Sequence, residues 1–129
     1  MENIKINFLH ICENAFFAED KKLNIIGIFD HINAKGFPAM HSRFSIALSV
    51  TGIIHDKKII IEIMSPDGIP IISLTLKNVK LGNEPKTNLV LNFIGVKFPQ
   101  SGNYKIIFKV DDKIISSDRQ DMITVKEEV

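Results

Sequence analysis

His10 and Cys12 lie two residues apart in an alternating segment, so their side chains share one face of a strand, as two ligands of a soft metal site must. Two ligands do not make a site. Cys12 is the only cysteine, and His31, His41 and His55 are scattered through loops or strand ends. The segment therefore predicts a buried thiol beside a packed histidine, with no metal bound. Asp30 and His31 adjoin, and His41 follows, so an acid–base pair can be drawn with Ser42, Ser45 or Ser49 as nucleophile. Adjacent residues of a strand face opposite sides, which predicts that Asp30 does not orient His31. No Gly-x-Ser-x-Gly, His-Glu-x-x-His or Walker-type glycine loop occurs anywhere in the chain. No residue is accordingly assigned a catalytic, metal-binding or cofactor-binding role, and no cofactor is predicted. The enzymatic alternative is a dispersed site around Asp30, His31 and His41. Asp111, Asp112, Asp118 and Asp121 gather near the last two turns, as the carboxylates of a calcium loop would. Lys113 and Arg119 interrupt that charge, no EF-hand loop is present, and hairpin turns select Asp for backbone reasons alone.

The elements that must position these residues are strands. Phe44, Ile46, Leu48 and Val50 alternate with Ser45, Ala47 and Ser49, and the stretch from Tyr104 to Val110 repeats the period of two that buries one face of a pleated strand. Ile4, Ile6 and Phe8 share a face that His10 and Cys12 continue. Glu13 to Lys22 reads as strand ending in a charged hairpin, although Ala15–Phe17 also fits a helical turn. Leu23 to Ile32 reads as one strand with Gly27 marking a bulge or a close backbone approach. Gly52 and His55–Asp56 supply a turn into Lys58–Met64, and Ser65-Pro66-Asp67-Gly68 has the composition of a tight turn. Pro70 opens the next strand, through Leu76, as a first or edge residue that loses no ladder hydrogen bond. Asn78 to Lys86 is the longest connection. Leu89, Leu91 and Phe93 alternate again, Asp111–Asp112 closes a hairpin onto Ile114–Ile115, and Ile123 and Val125 form a last strand. Gly102-Asn103-Tyr104 places the only tyrosine where immunoglobulin-like sandwiches turn a corner, its hydroxyl returning to backbone. The whole pattern predicts an all-β, antiparallel, immunoglobulin-like two-sheet sandwich of about nine short strands, with Phe44, Ile46, Leu48, Leu89, Leu91, Phe93, Ile106 and Phe108 inside.

Composition narrows the class of function. The 129 residues suit a single domain over 1–129, large enough to bury about two-thirds of the unfolded surface without a staple. Sixteen Lys and Arg against fifteen Asp and Glu leave a net charge of +1, so little electrostatic drive exists toward nucleic acid or anionic lipid. The first eight residues interleave polar with apolar side chains and carry no export signal, and no apolar run approaches the ~20 residues of a membrane span. With one cysteine, the expectation is a reducing, cytoplasmic setting.

Two stretches carry a family resemblance: Gly27-Ile28-Phe29-Asp30 followed by Phe37-Pro38 and His41-Ser42-Arg43-Phe44, then Asn88–Asn92, Phe98-Pro99, Gly102-x-Tyr104 and the Val110–Asp111 hairpin. The chain resembles, over nearly its full length, a family of small uncharacterised prokaryotic proteins known only as a domain of unknown function. That resemblance implies a stand-alone β-sandwich and brings no activity, ligand or catalytic residue with it.

The functional expectation is a non-enzymatic binding or interaction module for an unknown protein or small polar ligand. The structural alternative is a self-associating subunit, because Ile60, Met64, Ile71, Val90, Ile94 and Ile107 break the alternation on outward registers and could form an apolar patch that a homodimer covers. The candidate interaction surface is thus Asp30, His31 and His41 with Ile60, Met64, Val90, Ile94 and Ile107.

Overall fold

A computed structural model describes residues 4–82, 86–115 and 122–127, and in it the alternating segments form ten strands in two sheets. They are β1 (Lys5–Phe17), β2 (Leu23–Ile28), β3 (His31–Ala34), β4 (Ala39–Thr51), β5 (Ile54–Met64), β6 (Pro70–Leu81), β7 (Thr87–Phe98), β8 (Gly102–Val110), β9 (Lys113–Ile115) and β10 (Met122–Glu127). One sheet has the order β2-β1-β4-β7 and the other β3-β10-β8-β5-β6, with β9 added beside β8. The arrangement is the expected two-sheet sandwich. It departs from a purely antiparallel one at a single pairing, since β3 runs parallel to β10.

The core lies between the sheets. Phe44, Ile46, Leu48 and Val50 of β4 and Leu91 and Phe93 of β7 meet Ile59, Ile61 and Ile63 of β5 and Phe108 of β8, all buried, with Leu89 and Ile106 packed against them at the margin. The Phe44 and Phe93 rings stack at 5.2 Å, fixing one end of the four-stranded sheet's inner face. Tyr104 is fully buried, its hydroxyl donates to the Gln100 carbonyl at 2.6 Å and accepts from the Gln100 N–H at 3.1 Å, and Phe98 meets its ring edge-on. The corner read from Gly102-Asn103-Tyr104 is therefore present.

Several elements differ from the sequence reading. A register shift between Ile6 and Phe8 turns β1 over, so Leu9 and Ile11 rather than Phe8 and His10 continue the core face from Ile6. Leu23 to Ile32 is two strands: Phe29 N–H still donates to Ile11 of β1, whereas the Asp30 carbonyl already accepts from Thr124 of β10. The chain changes sheets between those two residues. β4 and β5 likewise lie in different sheets, and His55 and Asp56 sit inside β5, whose pairing with β6 is irregular there. β6 opens at Pro70 on a sheet edge, as expected, but runs through Leu81 instead of stopping at Leu76. Ala15–Phe17 is strand, and the Ser65–Gly68 turn closes with Gly68 N–H on the Ser65 carbonyl at 2.9 Å.

Ser45, Ala47 and Ser49 point away from the core and are nevertheless buried. β4 is flanked on both sides, so its small outward side chains are closed over by larger neighbours. Ser45 donates to Asn92 at 2.6 Å, Asn7 donates to Ser49 at 3.2 Å, and Ala47 joins Cys12 and Ala15 in a second apolar cluster packed by Leu23, Ile25 and Val90. The end of the β1–β2 hairpin thereby contributes to the outer layer of the four-stranded sheet.

Candidate interaction surface

Asp30 follows β2 and His31 begins β3, at the crossover between sheets. Asp30 precedes the strand, so strand alternation does not govern the pair, and its carboxylate contacts His31 Nδ1. The expectation that Asp30 does not orient His31 directly is corrected. Both side chains are well exposed, which leaves the pair a surface contact in water. His41 goes elsewhere: it lies 3.9 Å from Glu13 and packs its ring at 5.3 Å from Phe29 and 5.8 Å from Phe44. No hydrogen bond or ion pair joins it to Asp30 or His31.

Around Cys12 and the turns, the polar groups are internally occupied. Cys12 Sγ lies 3.5 Å from the Ser45 carbonyl, and burial pushes its thiol pKa up, with the Asn14 backbone N–H acting the other way and Glu13 adding a smaller upward push. His10 stacks on Phe8 at 5.2 Å. Asp111 accepts the Lys58 N–H at 2.8 Å and faces Lys57 at 3.8 Å, while Asp112 faces Lys58 at 3.4 Å, consistent with turn chemistry at these two positions. Asp118 and Asp121 lie outside the described residues. Among the described residues no three His, Cys, Asp or Glu side chains assemble as a metal-binding group.

The apolar residues predicted to form one patch are divided between opposite faces. Ile60, Met64, Ile71 and Ile107 belong to the six-stranded sheet, whereas Val90 and Ile94 belong to β7 of the other. On the first face the cross-strand partner of Ile107 is Glu62, whose carboxylate meets Lys109 Nζ at 2.6 Å, so charge interrupts the apolar run. Val90 is half-buried against the chain's own Cys12–Ala15–Ala47 cluster. Only Ile94, 79% exposed beside Arg43, stands free.

Apart from Ile94, the exposed apolar surface lies where the sequence reading placed none. Phe16 (42%), Phe17 (49%), Ile26 (53%) and Ile28 (59%) all belong to the β1–β2 hairpin. Met40, Ile53, Ile69 and Ile114 are also exposed but sit apart, at strand ends, turns and the short β9. In the hairpin, Asn14 pairs with Ile26, Phe16 with Asn24 and Cys12 with Ile28, which sets Phe16 and Ile26 diagonally across two neighbouring strands. Among the described residues β2 is also an edge strand, hydrogen-bonded on one side only. The available signal was the stretch from Leu23 to Phe29, which contains no charged residue and no regular alternation.

A family model described as a family of unknown function, DUF6941, matches residues 7–119. No curated protein matches the chain. Among solved structures, an immunoglobulin-like protein from Pseudomonas aeruginosa is similar at a TM-score of 0.49 and 14% identity, over 96% of this chain and 97% of that one. A CARDB domain from Pyrococcus furiosus, solved in complex with di-metal ions, is similar at 0.46 and 14%, over 98% and 96%. A Bifidobacterium dentium beta-glucuronidase is similar at 0.45 and 16%, over 95% of this chain but 17% of its own.

Proposed function

The chain belongs to the DUF6941 family of unknown function, and from that premise we propose that it is a non-catalytic interaction module whose docking surface is the β1–β2 hairpin. One observation carries the reading: four large apolar side chains, Phe16, Phe17, Ile26 and Ile28, stand about half exposed on one hairpin whose outer strand pairs on one side only among the described residues. Apolar surface gathered beside an open strand edge favours a partner that adds main-chain hydrogen bonds and covers side chains together. A net charge of +1 supplies little attraction for phosphate or anionic lipid, which favours protein as the partner class. The lone, buried Cys12 suits a reducing compartment such as the cytoplasm.

A photo-crosslinking residue placed at position 16, 26 or 28 of the full chain in its native host tests this. The reading expects protein adducts from those positions and none from position 105, on the other sheet. No adduct from any hairpin position, or adducts from position 105 alone, would contradict it.

A further inference from the structure

Arg43 stands in β4 between apolar neighbours. Its ladder partner in β7 is Ile94, 79% exposed. On its other side Nη2 donates to Asn14 Oδ1 of β1 at 3.4 Å, longer than a strong hydrogen bond. Asn14 in turn is the ladder partner of Ile26 in β2, 53% exposed. Ladder partners point to the same side of a sheet, so Ile26, Asn14, Arg43 and Ile94 form one row across all four strands. A guanidinium and an amide thus lie between two exposed apolar side chains, and Phe16, diagonal to Ile26, widens one apolar end.

Charge around that row is one-sided. β2, β4 and β7 contain no Asp or Glu, and the single carboxylate of the sheet's strands, Glu13, is turned to His41 at 3.9 Å. Among the described residues Arg43 makes no ion pair. The other sheet supplies the contrast. Lys109 likewise lies between apolar ladder partners, Ile60 and Ile114, but its Nζ meets Glu62 of the neighbouring row at 2.6 Å. Arg43 occupies the same kind of place without the acid. We propose that the row from Ile26 to Ile94 seats a segment of a partner protein that brings that acid: an Asp or Glu takes up the Arg43 guanidinium, and apolar side chains flanking it cover Ile26 and Ile94. This rests on the hairpin being the docking surface, carries that surface across β4 to β7, and gives the chemistry of the occupant. The planar fork of an arginine grips a carboxylate through two parallel N–H donors, and apolar cover on both sides excludes water from the pair. A phosphate would fit the fork too, but it carries more charge than the one cation of the row answers.

A photo-crosslinking residue at position 94 of the full chain in its native host, set beside the one at position 26, reads the seat, and mass spectrometry of the adducts reads the occupant. Both positions join the same protein, through a segment in which Asp or Glu stands close to apolar residues. Arg43 is exposed, so its substitution leaves the fold intact, which circular dichroism confirms. Arg43→Glu lowers the adduct yield from both positions by about tenfold or more, and Arg43→Lys lowers it less. Changing the partner's carboxylate to Lys restores the yield with Arg43→Glu. A yield from position 94 no higher than from position 105, adducts indifferent to Arg43→Glu, or a joined segment that carries a phosphorylated side chain or no carboxylate would overturn the inference, while adducts from position 26 would keep the hairpin as the docking surface. Absence of adducts from positions 16, 26 and 28 alike removes the docking surface itself, and the seat with it.

Discussion

Tyr104 shows how one side chain ties a loop to the core. Its ring is buried against Phe98, while its hydroxyl both donates to and accepts from the Gln100 backbone, and the Gln100 side chain in turn donates to Asp67 at 2.8 Å. Tyr104→Phe keeps the ring and strands the Gln100 N–H, so unfolding in denaturant should report a loss of about 0.5–1.5 kcal/mol, toward the upper end. Burial raises the Tyr104 pKa, opposed by the Gln100 backbone and assisted by Asp67. A raised pKa in the fold means that the unfolded chain ionises first, so this contribution is whole below about pH 10 and is lost as pH climbs beyond it. Cys12 behaves the same way from a lower starting point, its burial contribution declining above about pH 9. Stability measured against pH should therefore fall through the alkaline range, and Tyr104→Phe and Cys12→Ala should each flatten part of that slope. An unchanged slope in both variants would show that neither group is desolvated.

The β1–β2 hairpin depends on Gly27. It holds φ +70, and a Cβ there would stand 2.8 Å from Glu13 Cγ and 3.1 Å from Glu13 Cβ, close to the Glu13 backbone. Gly27→Ala should cost about 1–2 kcal/mol or shift the hairpin, measurable as a lowered midpoint together with faster amide exchange in β1 and β2. The sequence made this glycine conspicuous, because an isolated Gly in an apolar strand signals a close approach. It made β4, the Ser65–Gly68 turn and the Tyr104 corner equally plain, since each depends on residues near in sequence. What it hid were relationships decided elsewhere in the chain. Leu23–Ile32 looks continuous until β10 captures the Asp30 carbonyl, and nothing local announces that the strand must divide. The Ile6–Phe8 register shift exchanges the faces of β1, so His10 and Phe8 leave the core that their spacing seemed to give them. The apolar part of the candidate surface is divided between two sheets for the same reason. Outward register was legible for Ile60, Met64, Val90, Ile94 and Ile107, but which sheet each strand joins was not.

At the scale of the molecule, a core shared by two sheets must resist change at its centre and tolerate it outside. Phe108 is 1% exposed in β8, the strand that β5, β9 and β10 all pair with, and Phe108→Ala should cost ~3–5 kcal/mol in equilibrium unfolding. A loss under about 1 kcal/mol would mean that the site is not packed as described. Ile107, the next residue, faces outward beside Glu62. If association runs through the β1–β2 hairpin, Ile107→Glu should leave the hairpin adducts unaltered, and adducts lost through that change would move the interface to the six-stranded sheet. Residue-resolved amide hydrogen exchange, compared between the purified full chain and the same chain in host extract, tests the central claim most directly. The account predicts that added protection falls on the amides of Leu23–Ile28 while the β6 and β7 edges exchange as before. Protection appearing at β6 or β7, with β2 unchanged, would contradict it.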